Sequence, residues 1–252
     1  MCTEKIQESL MRTFICILLL SFTQINIYSQ EKRVHPIRIL VITGGHEYNK
    51  ETFNEMLKSL GNGFTFSIVE FPAAFDMFNP ENRNSYDVIL FYHMWQKITS
   101  QQEITMADCI SGGKPLVVLH HSICAFDDWE EYLHITGGKY FHKPTTINGV
   151  EYPACTYIHD LHFTAHISHE NPVTSGENDF ELFDETYKGY YVEPGVKILI
   201  TTSDTTSTPV IGWTKMYGKS KVVTFQSGHD TPTFQNPSFR KLLRQAIEYV
   251  TK

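Results

Sequence analysis

Basic clusters are missing from this chain. Its 21 Lys and Arg are scattered among 28 Asp and Glu, giving a formal net charge of −7. Such a surface offers no run of cations to a phosphate backbone, so nucleic acid is excluded as an expected partner. Cysteine is scarce, five in 252 residues, so the fold is not expected to hang on a disulfide framework. No G-x-S-x-G, Walker or G-x-G-x-x-G pattern is present, which removes the commonest serine-nucleophile and nucleotide-binding signatures. Repeats, linkers and low-complexity segments are absent as well. With 41% hydrophobic and 19% charged residues, what remains is one globular domain with a sizeable core.

The longest apolar run, Phe14–Phe22, is too short to cross a membrane. Met11-Arg12 precede it and Tyr28-Ser29-Gln30-Glu31 follow, which is the plan of a secretory signal peptide. We therefore read residues 1–30 as a signal peptide, with Met11 an alternative start, and residues 31–252 as the mature domain. An uncleaved anchor is the competing reading. Export implies a periplasmic or secreted protein with no membrane span in the mature chain. Cys16 lies within the apolar run without the small residues that lipid attachment requires. Cys109, Cys124 and Cys155 then remain, too few for more than one disulfide.

Apolar runs with turn signals between them outline the fold. Ile37–Thr43, Phe64–Phe71, Tyr86–Tyr92, Leu116–Leu119 and Lys221–Gln226 read as buried strands. A helix is expected from Gly44-Gly45-His46-Glu47 to about Leu60, with Phe53, Met56, Leu57 and Leu60 on one face. Others are expected over Ser100–Ser111, Asp127–His134 and Asn236–Val250. Thr156–Ser168, Phe180–Tyr187, Val196–Thr201 and Pro209–Met216 are further extended segments. This alternation defines an α/β protein with a doubly wound, mostly parallel sheet.

What the chain has in excess is histidine, twelve in all. His46, His93, the pair His120-His121 and His229 each follow a buried strand. Parallel strands end at one edge, where ligands bind in open α/β sheets. These histidines are therefore expected to share a site, with one of His120 and His121 facing it. Asp184 or Glu185 would supply a carboxylate as base, ligand or tautomer fixer. His46, His120 and His229 form the expected ligand set should a divalent metal such as zinc bind. Backbone N–H groups at Gly45 and Glu47 would hold a sugar oxygen or an anion at a helix N-terminus. Tyr48, His93, Trp95, Tyr187 and Asp230 complete the expected substrate-binding set. The run His159, Asp160, His162, His166, His169 reads instead as a strand whose members alternate faces.

Four blocks carry a resemblance: the strand ending in GGHEY, the strand KPLVVLHHS, NPVTSG with FELFDETY, and PVIGWTKMYGKSKVVTFQSGHD with NPSFRKLLRQAIEYV. Together they resemble the ThuA-like (trehalose utilisation) family over Ile37 to Val250. The resemblance implies a class I glutamine amidotransferase-like, flavodoxin-like three-layer sandwich. It also implies a role in catabolism of oxidised (3-keto) disaccharides and glycosides. In amidotransferases a cysteine occupies the turn after the strand matching Leu116–Leu119. Here His120 or His121 stands there, and Cys124 comes too late, so amidotransferase activity is not expected. Asn171 replaces a His that commonly precedes the Pro in NPVT. The resulting expectation is an enzyme acting on a small-molecule carbohydrate, with catalytic residues among His120, His121, Asp184, Glu185 and His229. A non-catalytic carbohydrate-binding protein is the alternative, and a homo-oligomer is compatible with either.

Overall fold

A computed structural model describes residues 35–252; the expected signal peptide lies outside the described residues. Pro36–Lys252 forms one compact unit. Its centre is a nine-stranded sheet of β1 (Ile37–Gly44), β2 (Phe64–Glu70), β3 (Val88–His93), β4 (Leu116–Leu119), β5 (Thr156–Ile167), β6 (Phe180–Lys188), β7 (Lys197–Thr201), β8 (Val210–Tyr217) and β9 (Ser220–Phe225). The spatial order is β2-β1-β3-β4-β9-β8-β7-β5-β6. The first five in that order pair in parallel, and the remainder continue antiparallel. Consequently β1, β3, β4 and β9 stand side by side with their carboxyl ends at one edge.

Helices cover both faces of the parallel half. On one face lie α1 (Lys50–Lys58) and α5 (Pro237–Val250), packed on Ile39, Val41, Leu90, Val117 and Val223. The i, i+3, i+4, i+7 set Phe239, Leu242, Leu243 and Ala246 of α5 is fully buried, as its periodicity requires. Asn236 caps that helix through Ser238 and Phe239 N–H, and Pro237 occupies its first turn. On the other face lie α2 (Ser100–Ser111), α3 (Glu130–Thr136) and a 3-10 turn over Ala73–Phe78. Thr99 and Gln102 form a capping box at the start of α2. The result is a three-layer α/β sandwich. A short α4 (Thr231–Gln235) precedes α5.

Two expectations shift here. Asn49 caps α1, so the helix begins three residues beyond Glu47, and Gly45–Glu47 lie in a loop after β1 instead. The expected helix-terminus cradle at Gly45 and Glu47 is thereby lost. Gly45 has φ +77 and runs against the Met94 carbonyl, where a Cβ would come within 1.9 Å of its oxygen. Only glycine fits that crossing. The helix expected over Asp127–His134 starts at Glu130 and ends on left-handed Gly137.

His93 illustrates the parity of a strand. Its neighbour Tyr92 faces the α1 side, so His93 is directed to the opposite face, edge-on to Phe71 and Phe91 and tilted against Phe126. Both ring nitrogens are buried without partners, and burial lowers its pKa to about 3. Above pH 6.5 it is neutral folded and unfolded, and contributes nothing to pH dependence. Between pH 6.5 and about 3 the unfolded chain binds one more proton, so acidification destabilises the fold by about 1.4 kcal/mol per unit. His93→Phe should flatten the stability-versus-pH curve by that slope, measured by denaturant unfolding from pH 7 to 4. An unchanged slope would show that His93 is protonated in the folded state.

Candidate functional site

The site is built on the turn after β4. His120 opens a 3-10 turn over His120–Cys124 with φ +50, a left-handed conformation that strains a non-glycine residue by about 1–3 kcal/mol. That turn carries the His120 ring toward the end of β9, where Nδ1 meets the Gln226 carbonyl at 2.7 Å. The bond makes Nδ1 the protonated nitrogen and aims Nε2 into the site. Around Nε2 stand Glu185 Oε2 at 3.0 Å, the Tyr187 hydroxyl at 3.0 Å and His229 Nδ1 at 3.2 Å. Glu185 Oε2 also lies 3.4 Å from His229 Nδ1.

The two carboxylates divide their work because consecutive strand residues face opposite sides. Asp184, 3% exposed, accepts the N–H groups of Gly228 at 2.7 Å, His229 at 2.9 Å and Glu185 at 2.8 Å. It holds the loop that presents His229 and does not enter the cavity. Glu185 points the other way, toward the imidazoles. Opposite it, β5 carries an extra residue: Ile158 pairs with Thr186 and Leu161 with Asp184, leaving His159 and Asp160 to face Glu185 alone. The bulge moves Tyr157 and His159 from the face of Phe163, Ala165 and Ile167 to that of Glu185 and Tyr187. His159 Nδ1 is then 3.3 Å from Glu185 Oε1.

Charge follows from these contacts. Burial opposes protonation of His120, yet the Glu185 hydrogen bond and the Asp184 and Glu185 charges outweigh it and raise its pKa. Burial likewise pushes Glu185 up, but the bond to His120 and the charges of His120, His229 and His159 hold it below the usual range. Both shifts favour the ionised forms of the pair. His229 is lowered to about 4 by burial and by the His120 charge, so it is neutral and keeps a lone pair. His46 is lowered by the same two causes. Burial pushes Asp184 up, against the opposing charge of His120 and the N–H donors.

His46, His121 and His229 gather as the sequence reading expects. His46 stacks on His121 at 4.3 Å between centroids and lies 5.7 Å from His229, while His121 is 5.0 Å from His120. His121 is fully buried with neither nitrogen bonded, and burial drops its pKa well below normal. The tight ligand set is His120, Glu185 and His229, whose donor atoms lie within 4.8 Å of one another. Glu185 takes the place that the sequence reading gave to His46. Tyr187 is at the centre of the site. Tyr48 packs on Phe53 and Tyr92, and Glu47 is exposed. Asp230 caps α4 without a side-chain bond. His93 is on the wrong face, and Tyr92, unnamed by the sequence reading, donates its hydroxyl to the His229 carbonyl at 3.0 Å. Asn171 simply caps a 3-10 turn through Val173 N–H.

A cavity of about 150 Å³ opens over Glu185, walled by His46, Tyr140, Tyr157, His159 and Tyr187, with Trp95 and His142 at its mouth. Cys124 also lines it, but burial pushes the thiol well above its usual pKa and keeps it protonated. Cys124→Ala and Cys124→Ser should change ligand binding or turnover less than twofold, and iodoacetamide should label the native wild-type thiol slowly at pH 7. Loss of activity in a folded variant would point to a thiol mechanism.

Fold and site together define a three-layer α/β sandwich whose turn after β4 carries two buried histidines at the sheet edge. The chain belongs to the ThuA family, trehalose utilisation, whose profile matches residues 38–250. A ThuA-like protein of Parabacteroides merdae superposes with a TM-score of 0.70 at 18% identity, covering 86% of this chain and 90% of that one. A ThuA-like protein of Bacteroides uniformis gives 0.64 at 17%, covering 88% and 95%. A cytoplasmic protein of Salmonella typhimurium LT2 gives 0.59 at 13%, covering 86% and 100%. No functionally curated protein matches. Among the described residues, no helix is long and apolar enough to cross a membrane.

Proposed function

We propose that this protein is an exported enzyme of carbohydrate catabolism that acts on a sugar, keto-sugar or glycoside at the His120–Glu185–His229 cluster. The observation that carries the reading is the ionised, nearly buried Glu185 among three imidazoles in an aromatic-walled cavity. Aromatic faces with a few convergent polar groups are what a sugar site needs.

His120 Nε2, a Glu185 oxygen and His229 Nδ1 suit a zinc or similar divalent ion, since two imidazoles and a carboxylate leave a coordination position open. The Gln226 carbonyl supplies the outer contact that such a His ligand usually has. A bound metal would polarise a sugar carbonyl. Glu185 is placed to accept a proton from a carbon beside that carbonyl. Tyr187, kept neutral by burial, donates toward the same centre, and Tyr140 helps to exclude water.

The test offers a 3-keto-glucoside to the purified protein with and without zinc, and follows products by NMR. Turnover lost with chelator supports the metal-assisted form; turnover indifferent to chelator supports acid–base chemistry alone. Saturable binding with no turnover under either condition would leave a carbohydrate-binding protein. Export is tested separately by N-terminal sequencing of protein secreted by its own host. Cleavage is expected near Ser29–Glu31, and a mature chain retaining Phe14–Phe22 would overturn it.

A further inference from the structure

The cavity over Glu185 is too small for a two-ring ligand. At about 150 Å³ it accepts roughly one six-membered ring, the size of a cavity that holds benzene. Beyond Trp95 lies a second, open groove of about 520 Å³, lined by Trp95, Phe126 and Trp129 with Lys97, Glu103 and Asp128 among its polar groups. Trp95 is the residue common to both.

Trp95 is held in an unusual way for an exposed side chain. It is 59% exposed and its φ is +37, a strained value for a bulky residue. Its indole Nε1–H donates to His142 Nε2 at 2.7 Å, and His142 Nδ1 meets Asp127 Oδ1 at 2.8 Å. The ring contacts continue inward from Trp95 to His142, Tyr140, Tyr187 and His120, with centroids 5.0–5.5 Å apart. An exposed indole fixed by a carboxylate–imidazole brace is a preorganised platform, because its rotamer entropy is already lost before a ligand arrives. Across the mouth, Tyr157 is 56% exposed and lines the same cavity. Aromatic faces with hydrogen-bonding groups at their edges match a pyranose, apolar on its faces and polar around its rim.

We infer that Trp95, braced by Asp127–His142, is the platform of an outer subsite that takes the second sugar ring of a glycoside whose first ring occupies the Glu185 cavity. The inference rests on the carbohydrate reading above and adds to it the second ring's place and the residues that select for it. Trp95 is then a specificity-determining residue. Asp127 and His142 act through it as positioning residues.

The experiment is calorimetric binding of a one-ring probe, methyl α-glucopyranoside, and a two-ring probe, trehalose, to the full mature protein. Wild type is expected to bind trehalose about tenfold more tightly than the one-ring probe, the scale of one aromatic contact. In Trp95→Ala that ratio should fall to near one, in Trp95→Phe it should largely persist, and His142→Phe should give an intermediate value. The ratio is the readout because a general loss of folding lowers both affinities together and leaves it unmoved. Equal affinities in wild type, or a ratio untouched in Trp95→Ala, would overturn the outer subsite while leaving the carbohydrate reading intact. Failure of wild type to bind either sugar would remove the carbohydrate reading, and this subsite with it.

Discussion

Glu185→Gln is expected to abolish the proposed chemistry while leaving the fold. The substitution keeps the shape of the side chain and removes only its charge. In the wild type that charge lies within 3.0–3.4 Å of His120, His159 and His229. Without it, burial of His120 is opposed chiefly by Asp184, and the imidazole pKa should fall. NMR of the His120 ring would show its titration moved to lower pH. Loss of a general base lowers turnover by about 10²–10⁴-fold, and loss of a charged ligand weakens divalent metal uptake in parallel. Elemental analysis and turnover should therefore fall together. A variant with wild-type turnover and metal content would sink the assignment of Glu185.

The second large effect is expected at Asp184, which never touches the cavity. Three buried N–H groups converge on its two oxygens, and Gly228 among them has φ +127, a conformation open only to glycine. Asp184→Ala leaves those donors unpaired at roughly 1–3 kcal/mol each, so a loss of about 3 kcal/mol or more is expected. For a domain of this size that corresponds to a fall in Tm of roughly 6–12 °C. Asp184→Asn, with one oxygen, should fall between. Function should drop beyond what stability explains, because the freed loop carries His229. Thermal melts paired with metal binding at a temperature where both variants are folded separate the two effects. A variant that melts like wild type would mean that water replaces the carboxylate.

The sheet edge was legible in the sequence because buried parallel strands announce themselves as uninterrupted apolar runs. Leu116–Leu119 with His120 and Lys221–Gln226 with His229 needed only that rule to be brought together. Asp184-Glu185 was legible as a pair, but not which member faces the imidazoles, since that depends on the register of β6 against β5. His159 was lost to a single extra residue: strict alternation puts it with Phe163, and the bulge at Asp160 turns it to Glu185. Parity also misled at His93, whose neighbour Tyr92 is the one that reaches the site. The loop at Gly45–Glu47 failed for another reason. Its course is set by the Met94 carbonyl, more than forty residues away, which no local pattern encodes. The hairpin Thr145–Tyr152 was readable and was missed: Asn148-Gly149, both with positive φ, are its turn.

The hydrogen bonds of His120 reach across 67 residues to Tyr187, 106 to Gln226 and 109 to His229. The first cannot form before the parallel half of the sheet and the β5–β6 arm have met, and the other two wait for β9 to pair with β4. Contacts of such separation come late on a folding route, after their loop-closure entropy has been met by other parts of the core. A ligand or ion bound at this cluster should then leave the folding rate nearly unchanged and slow unfolding instead. In the cell, occupancy would lengthen the lifetime of the folded chain without hastening its birth.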